Sequence, residues 1–273
     1  MPLYQAVVLA VVQGLAEFLP ISSTAHLALF PWLLHWDDPG LTFDIALHAG
    51  TLVAVLLYFW RMWFEMVTAA AGVANPADPK VRQNRRMFWH LVAGTIPAGV
   101  AGWLFEHAAE QQLRQPVIIS AALILVGLLM WVGERFARHT LALEQLRLRD
   151  SLVVGAAQAL AVIPGVSRSG ITMTAGLFRG MSRETAARFS FLLSTPIIAG
   201  AALKKLLEIR HTGLPAEMRL PFAVGVVVAG LVGYLVIAAL IRYLERRTFK
   251  IFIVYRVALG VLVLLLGWGL RHA

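Results

Sequence analysis

The 273-residue chain contains no cysteine, which excludes disulfides, thiolate catalysis and cysteine-ligated metals. Charge is scarce too. Only 14% of residues are Asp, Glu, Lys or Arg, against about 25% in an ordinary soluble domain. The weak alternation of a membrane β-barrel is missing. No basic stretch precedes the first apolar run, since the first Lys or Arg is Arg61, so no cleaved signal peptide is expected. What is present is apolar: 59% of residues are hydrophobic and mean hydropathy is +0.74. This is the composition of an all-α integral membrane protein. The net charge of +9 requires no nucleic acid, because the basic residues crowd short loops, as the positive-inside bias predicts.

Apolar segments fall at 4–34, 44–60, 87–105, 117–133, 152–176, 187–203, 220–241 and 251–270. Spanning a membrane takes about 20 apolar residues. Six segments can cross, and 4–34 and 152–176 are interrupted. The loops 61–86, 134–150 and 242–250 are basic, and the connection 106–116 holds only Arg114. All three basic loops share the cytoplasmic side if the two interrupted segments enter from opposite faces and both termini lie outside. Lys204, Lys205, Arg210 and Arg219 then fall outside, against the bias. The expected architecture is a polytopic all-α protein with about six spanning helices and two broken, re-entrant helical hairpins. It forms a single domain of two inverted halves, 1–116 and 117–273. Inverted repeats with discontinuous helices place a site where the repeats meet.

The interruptions carry the chemistry. The first reads Gln13-Gly-Leu-Ala-Glu17-Phe-Leu-Pro20-Ile-Ser22-Ser23-Thr24-Ala-His26. Pro20 breaks the arriving helix, and the hydroxyls after it can cap a new one whose free N–H groups favour an anion. The second reads Gln158-Ala-Leu-Ala-Val-Ile-Pro164-Gly165-Val-Ser167-Arg168-Ser169-Gly170 and echoes the first: a glutamine, a proline, then hydroxyls beside a charge. Arg168 offers a planar fork suited to phosphate, and Gly165 and Gly170 let N–H groups approach an anion closely. Glu17 can hold a hard divalent cation or act as a base, and His26 can move protons or attack phosphorus. Ser22 and Ser23 precede His26 by four and three residues, so all three can share a helix face. Ionisable groups at membrane depth are costly and mark sites.

Other polar residues have plainer readings. Thr172 and Thr174 are expected to bond back to the preceding turn. Arg188, Lys204 and Lys205 are expected to reach the interface. Arg256, inside the last apolar run, reads as structural, and His48 as a local partner of Asp44 at a helix start. His35, His90, His107, His139, His211 and His272 lie at expected helix ends or in loops.

The two polar motifs, their spacing, and the stretches Phe43-Asp-Ile-Ala-Leu-His-Ala-Gly-Thr51 and Phe189-Ser-Phe-Leu-Leu193 resemble the undecaprenyl-pyrophosphate phosphatase family, the bacterial bacitracin-resistance proteins. The resemblance covers essentially the whole chain. It implies an inner-membrane enzyme that removes the terminal phosphate from undecaprenyl pyrophosphate, recycling the lipid carrier of peptidoglycan synthesis, with a site opening to the periplasm. By position it implies catalytic roles for Glu17, Ser23, His26 and Arg168, with Ser22, Thr24 and Ser167 as their motif neighbours; together with Gln13, Gly165 and Ser169, read from the residues themselves, these neighbours form the expected substrate-binding set. It also implies a divalent cation, Mg or Ca, at Glu17. The expected partners are the polyprenyl pyrophosphate substrate, membrane lipid and a second copy of the chain in a homodimer. Two positions depart from the family pattern: Gln13 replaces a common glutamate, which leaves Glu17 as the one acid in either motif, and Ala25 replaces a glycine. The attacking group is Ser23, His26 or water. A transporter of a polyprenyl phosphate lipid is the rival reading, and Gln13 leans toward it.

Overall fold

The computed structural model describes residues 1–111, 113 and 115–272, with side chains described for all of these except 41, 106–111, 212 and 267–272. Arg114 and the side chains of His107 and His272 therefore lie outside the described residues. The architecture is all helical, in the order α1 (Leu3–Phe18), α2 (Ser23–Leu34), α3 (Leu41–Tyr58), α4 (Trp60–Ala70), α5 (Pro79–Gln111), α6 (Pro116–Phe136), α7 (Leu148–Ala159), α8 (Arg168–Phe178), α9 (Arg183–Thr212), α10 (Ala216–Leu244) and α11 (Lys250–His272). Four described helices, α5, α6, α9 and α10, are long and apolar enough to cross a membrane. The bent pair α3 and α4 brings the number to five if it counts as one span, and α11 runs for 23 residues. The protein is a multi-pass membrane protein. Among the described residues the only extended pairing is one isolated bridge, Leu141 with Met181.

Small residues set the helix contacts, as they do where lipid removes the hydrophobic drive between helices. Gly14 of α1 faces Val232 and Ala229 of α10, Gly50 of α3 abuts the Val226 main chain, and Gly155 of α7 abuts the Gly94 main chain of α5. These contacts also give directions. Gly50 meets Val226 and Ala54 meets Gly233, so α3 and α10 run parallel. Gly127 meets Ile253 and Gly260 meets Ser120, so α6 and α11 run antiparallel. The loops 61–86, 134–150 and 242–250 thus gather at one end of the bundle, and Arg86 bridges two of them by donating to the Glu144 carbonyl at 3.0 Å. From that end α7 enters with its break. From the other end enters α1, just before which Met1 contacts Met218. The two broken segments are opposed in direction. Lys204, Lys205, Arg210 and Arg219 lie at the end away from the basic loops, on α9 and α10, with Lys205 paired to Glu208 at 2.6 Å.

Three local expectations need correction. Residues 61–86 are not simply a polar loop, because α3 turns by 79° into α4. That helix buries Met66 and Ala69, while Glu65 accepts from Lys80 and Asn84, both at 3.0 Å, on the first turns of α5. His90 is buried inside α5 rather than at its end, because α5 starts at Pro79. Arg188 does not simply reach outward; it pairs with Glu184 at 2.7 Å along α9. Thr172 and Thr174 do bond back, to the Arg168 and Gly170 carbonyls at 2.7 Å.

The α5–α7 contact gives a test of packing. Gly155→Val pushes a branched side chain into the Gly94 backbone, which cannot move aside, so destabilisation of about 3 kcal/mol is expected, the upper range for overpacking. Gly200→Ala on α9, where a Cβ meets open space, should leave the melting temperature unchanged. Thermal unfolding in detergent compares the two.

Candidate active site

Each break is built by the same local rules. Leu19 precedes Pro20 and is extended (φ −65°, ψ 138°), and Ile163 precedes Pro164 and is extended too (φ −79°, ψ 120°), because a proline disfavours helix at the residue before it. After the proline, each segment turns through a serine with positive φ, Ser22 at 79° and Ser167 at 68°. Each serine then caps the next helix. Ser22 Oγ accepts from the Ala25 N–H at 3.4 Å and lies 3.2 Å from the Thr24 hydroxyl. Ser167 Oγ accepts from the Gly170 N–H at 3.1 Å and lies 3.2 Å from the Ser169 hydroxyl. Gly165 adopts φ 93°, and a Cβ there would stand 2.6 Å from the Ile119 carbonyl, so only glycine fits.

A non-glycine residue at positive φ costs on the order of 1–3 kcal/mol and persists where its surroundings impose it. Here Arg256 imposes it. Its guanidinium is fully buried and donates to the carbonyls of Pro20, Gly165 and Val166, each at 3.0 Å, and of Leu123 at 3.3 Å. One side chain from α11 therefore holds both breaks. Ser169 adds a direct link, donating to the Leu19 carbonyl at 3.1 Å. The structural role expected of Arg256 stands, and it is larger than a local one.

Between the breaks, the Glu17 carboxylate is the common partner. Arg168 Nη2 forms an ion pair with Glu17 Oε1. Ser23 donates its hydroxyl proton to Oε2 at 2.7 Å, Gln13 Nε2 donates to the same oxygen at 3.0 Å, and His48 Nε2 stands 3.3 Å away. Four residues from α1, α2, α3 and α8 thus converge on one buried carboxylate. A cavity of 190 Å³ opens against this cluster, lined by Glu17, Ser23, Thr24, His48, Ser167 and Arg168 among others. At about 30 Å³ per water, it accommodates a small hydrated anion and no long chain.

The expected site residues divide accordingly. Glu17, Ser23, Thr24, Ser167 and Arg168 line the cavity, and Gln13 supports it through Glu17. Ser22, Ser169 and Gly165 build the breaks. Gly170 spends its N–H on Ser167. His26 faces away: Nδ1 bonds the Ser22 carbonyl and Nε2 the Tyr255 hydroxyl, both at 2.7 Å, with the two rings stacked. A shared face with Ser23 is geometrically available to His26, yet both of its ring nitrogens are engaged elsewhere.

The histidine at the carboxylate is His48, which reads in the sequence as a local partner of Asp44. Its Nδ1 does bond locally, to the Asp44 carbonyl at 2.7 Å. That carbonyl only accepts, so Nδ1 carries a proton, and Nε2 is the ring nitrogen turned toward Glu17. One more residue escapes sequence reasoning as part of the site: Gln158 lines the cavity. The signal for Gln158 is its match to Gln13 in the repeated pattern.

The donors suit a hard divalent cation by type. Glu17 is a carboxylate, Ser23 a hydroxyl, and Gln13 Oε1 is buried without a partner among the described residues, since only its Nε2 is used. The set is lean: among the described residues no cluster of three or more His, Asp or Glu is arranged to hold a metal.

Relatives share this chain throughout. Residues 6–262 match the family described as "Bacitracin resistance protein BacA". A protein named undecaprenyl-diphosphatase from Moorella thermoacetica is 51% identical over 269 residues, covering 98% of this chain and 99% of that one. Proteins of the same name from Thermomicrobium roseum and Desulforudis audaxviator are 48% and 46% identical, and each alignment covers 97% of this chain and 97% or more of the relative. With both broken segments and every residue that meets Glu17 inside the matched range, this chain belongs to the bacitracin resistance protein family.

Proposed function

We propose that the chain is an undecaprenyl-diphosphatase, hydrolysing undecaprenyl pyrophosphate to undecaprenyl phosphate and inorganic phosphate. The observation that carries the mechanism is the Ser23 hydroxyl donating to Glu17 at 2.7 Å beside the Arg168 guanidinium in one cavity. A nucleophile, its base and an anion clamp stand together. In the free protein Arg168 and Glu17 neutralise each other. When the pyrophosphate enters, Arg168 turns its fork to the phosphoryl oxygens and frees Glu17 Oε1. Glu17, with Gln13 beside it, would hold a divalent cation, which would supply positive charge to offset that of the pyrophosphate.

Ser23 Oγ forms a bond to the terminal phosphorus as the bond from that phosphorus to the bridging oxygen breaks. Glu17 Oε2 takes the serine proton and returns it to the departing lipid phosphate. Water then bonds to the phosphorus as the bond from phosphorus to Ser23 Oγ breaks, and Glu17 takes the water's proton and passes it to Ser23 Oγ, which restores the hydroxyl and the carboxylate. Arg168, aimed at the phosphoryl oxygens, stabilises charge in both steps. The cavity is apolar on its side formed by Ala98 and Gly102 of α5 and Ile197 of α9, which suits the first isoprene units of a tail lying among the helices. The basic loops at one end support a place in the bacterial inner membrane with that end cytoplasmic. The cavity would then serve substrate arriving from the periplasmic side.

The test is phosphate release by purified protein from undecaprenyl pyrophosphate. Release should stop with a chelator and return with Mg or Ca. Ser23→Ala should lower kcat by about 10³-fold or more with little change in melting temperature, since Glu17 keeps its other partners. A Ser23→Ala variant that turns over normally would remove Ser23 as nucleophile.

A further inference from the structure

We infer that Gln158 is a substrate-binding residue, its side-chain amide donating to a phosphoryl oxygen in the cavity. This rests on the hydrolase reading above. Gln158 is 2% exposed, and neither its Nε2 nor its Oε1 has a partner among the described residues. It nonetheless lines the same cavity as Glu17, Ser23 and Arg168. A buried amide left unpaired on both atoms is destabilising, so its retention calls for a partner that arrives from outside.

The contrast with Gln13 shows why the amide is free. Four residues after Gln13 stands Glu17, which takes its Nε2 proton at 3.0 Å. Four residues after Gln158 stands Val162, which offers no acceptor. The glutamine of one break is spent on the base, and that of the other is left for the ligand. An amide brings two N–H donors and one acceptor without charge. Nε2 can therefore grip a phosphoryl oxygen beside Arg168 without opposing it, and Oε1 can accept from water or from a protonated phosphate oxygen. Arg168 supplies charge; Gln158 supplies direction.

Two variants separate this from a structural role. Gln158→Met keeps the volume and removes the polar atoms. Because it deletes an unpaired buried amide, its melting temperature should equal or exceed that of wild type, while kcat/KM for undecaprenyl pyrophosphate falls about tenfold to a hundredfold. Gln158→Glu keeps the shape but sets a carboxylate against the phosphate, and should lose more, chiefly through KM. Inorganic pyrophosphate with Mg should raise the melting temperature of wild type and not of Gln158→Met. Wild-type kinetics in Gln158→Met would overturn the inference, as would a lowered melting temperature with activity lost only in proportion to folded protein. If wild type itself releases no phosphate, the hydrolase reading fails. The pyrophosphate arm then still decides for Gln158: equal protection of wild type and Gln158→Met would sink it.

Discussion

Arg168→Met is expected to reduce phosphate release by about 10³-fold or more, the scale lost when an arginine stabilising a transferring phosphoryl group is removed. The same change should also unsettle the fold. Arg168 is the partner of a carboxylate whose side chain is 2% exposed, and removing one member of a buried ion pair costs about 3–5 kcal/mol, because the other charge is left uncompensated. The two losses separate in a double variant. Arg168→Met combined with Glu17→Met deletes both charges, and replacing a buried pair by apolar groups of similar volume is often neutral or stabilising. The double variant should regain the melting temperature of wild type and no activity at all. A double variant as unstable as the single one would mean that the pair does not neutralise itself in the resting protein. Arg168→Lys should stay folded yet remain impaired, since an ammonium keeps the charge and loses the fork.

Arg256→Met should behave differently. Its guanidinium donates to main-chain carbonyls from both breaks and from α6, and no other described side chain donates to those of Pro20, Gly165 or Val166. Without it these carbonyls are buried and orphaned, at roughly 1–3 kcal/mol each, and Ser22 and Ser167 lose the anchor that holds them at positive φ. Stability and activity should therefore fall together, with much of the protein lost to aggregation in detergent. Arg256→Lys rescues little, because one ammonium cannot reach carbonyls on opposite sides of a planar fork. If Arg256→Met were well folded and inactive, Arg256 would belong to the chemistry and not to the frame.

The breaks are legible in the sequence because proline and serine act locally: Pro20 and Pro164 disfavour helix at the residue before them, and Ser22 and Ser167 cap α2 and α8. Glu17, Ser23 and Arg168 are legible because charge and hydroxyls in apolar sequence have few uses. Three things are not. The α3–α4 corner depends on Met66 and Ala69 finding an apolar surface, which no local pattern reports. His48 looks settled by Asp44, and only the packing of α3 beside α1 brings its second nitrogen to Glu17. His26, three residues from Ser23, has every sequence reason to join it, but Tyr255, far along the chain, claims its Nε2. Side-chain direction is decided by long-range partners, and a motif names residues without aiming them.

The guanidinium of Arg256 also bears on what the protein does with its lipid. Alternating access requires the two re-entrant segments to part, so that a bound molecule faces first one compartment and then the other. Here they are riveted. Pro20 from one side and Gly165 and Val166 from the other share a single donor, and Ser169 joins Leu19 across the same seam. Any rocking motion would break these bonds in a medium that offers no water to replace them. A seam fastened in this way suits a machine that holds its substrate still while a bond is cut, and it makes poor sense in a pump.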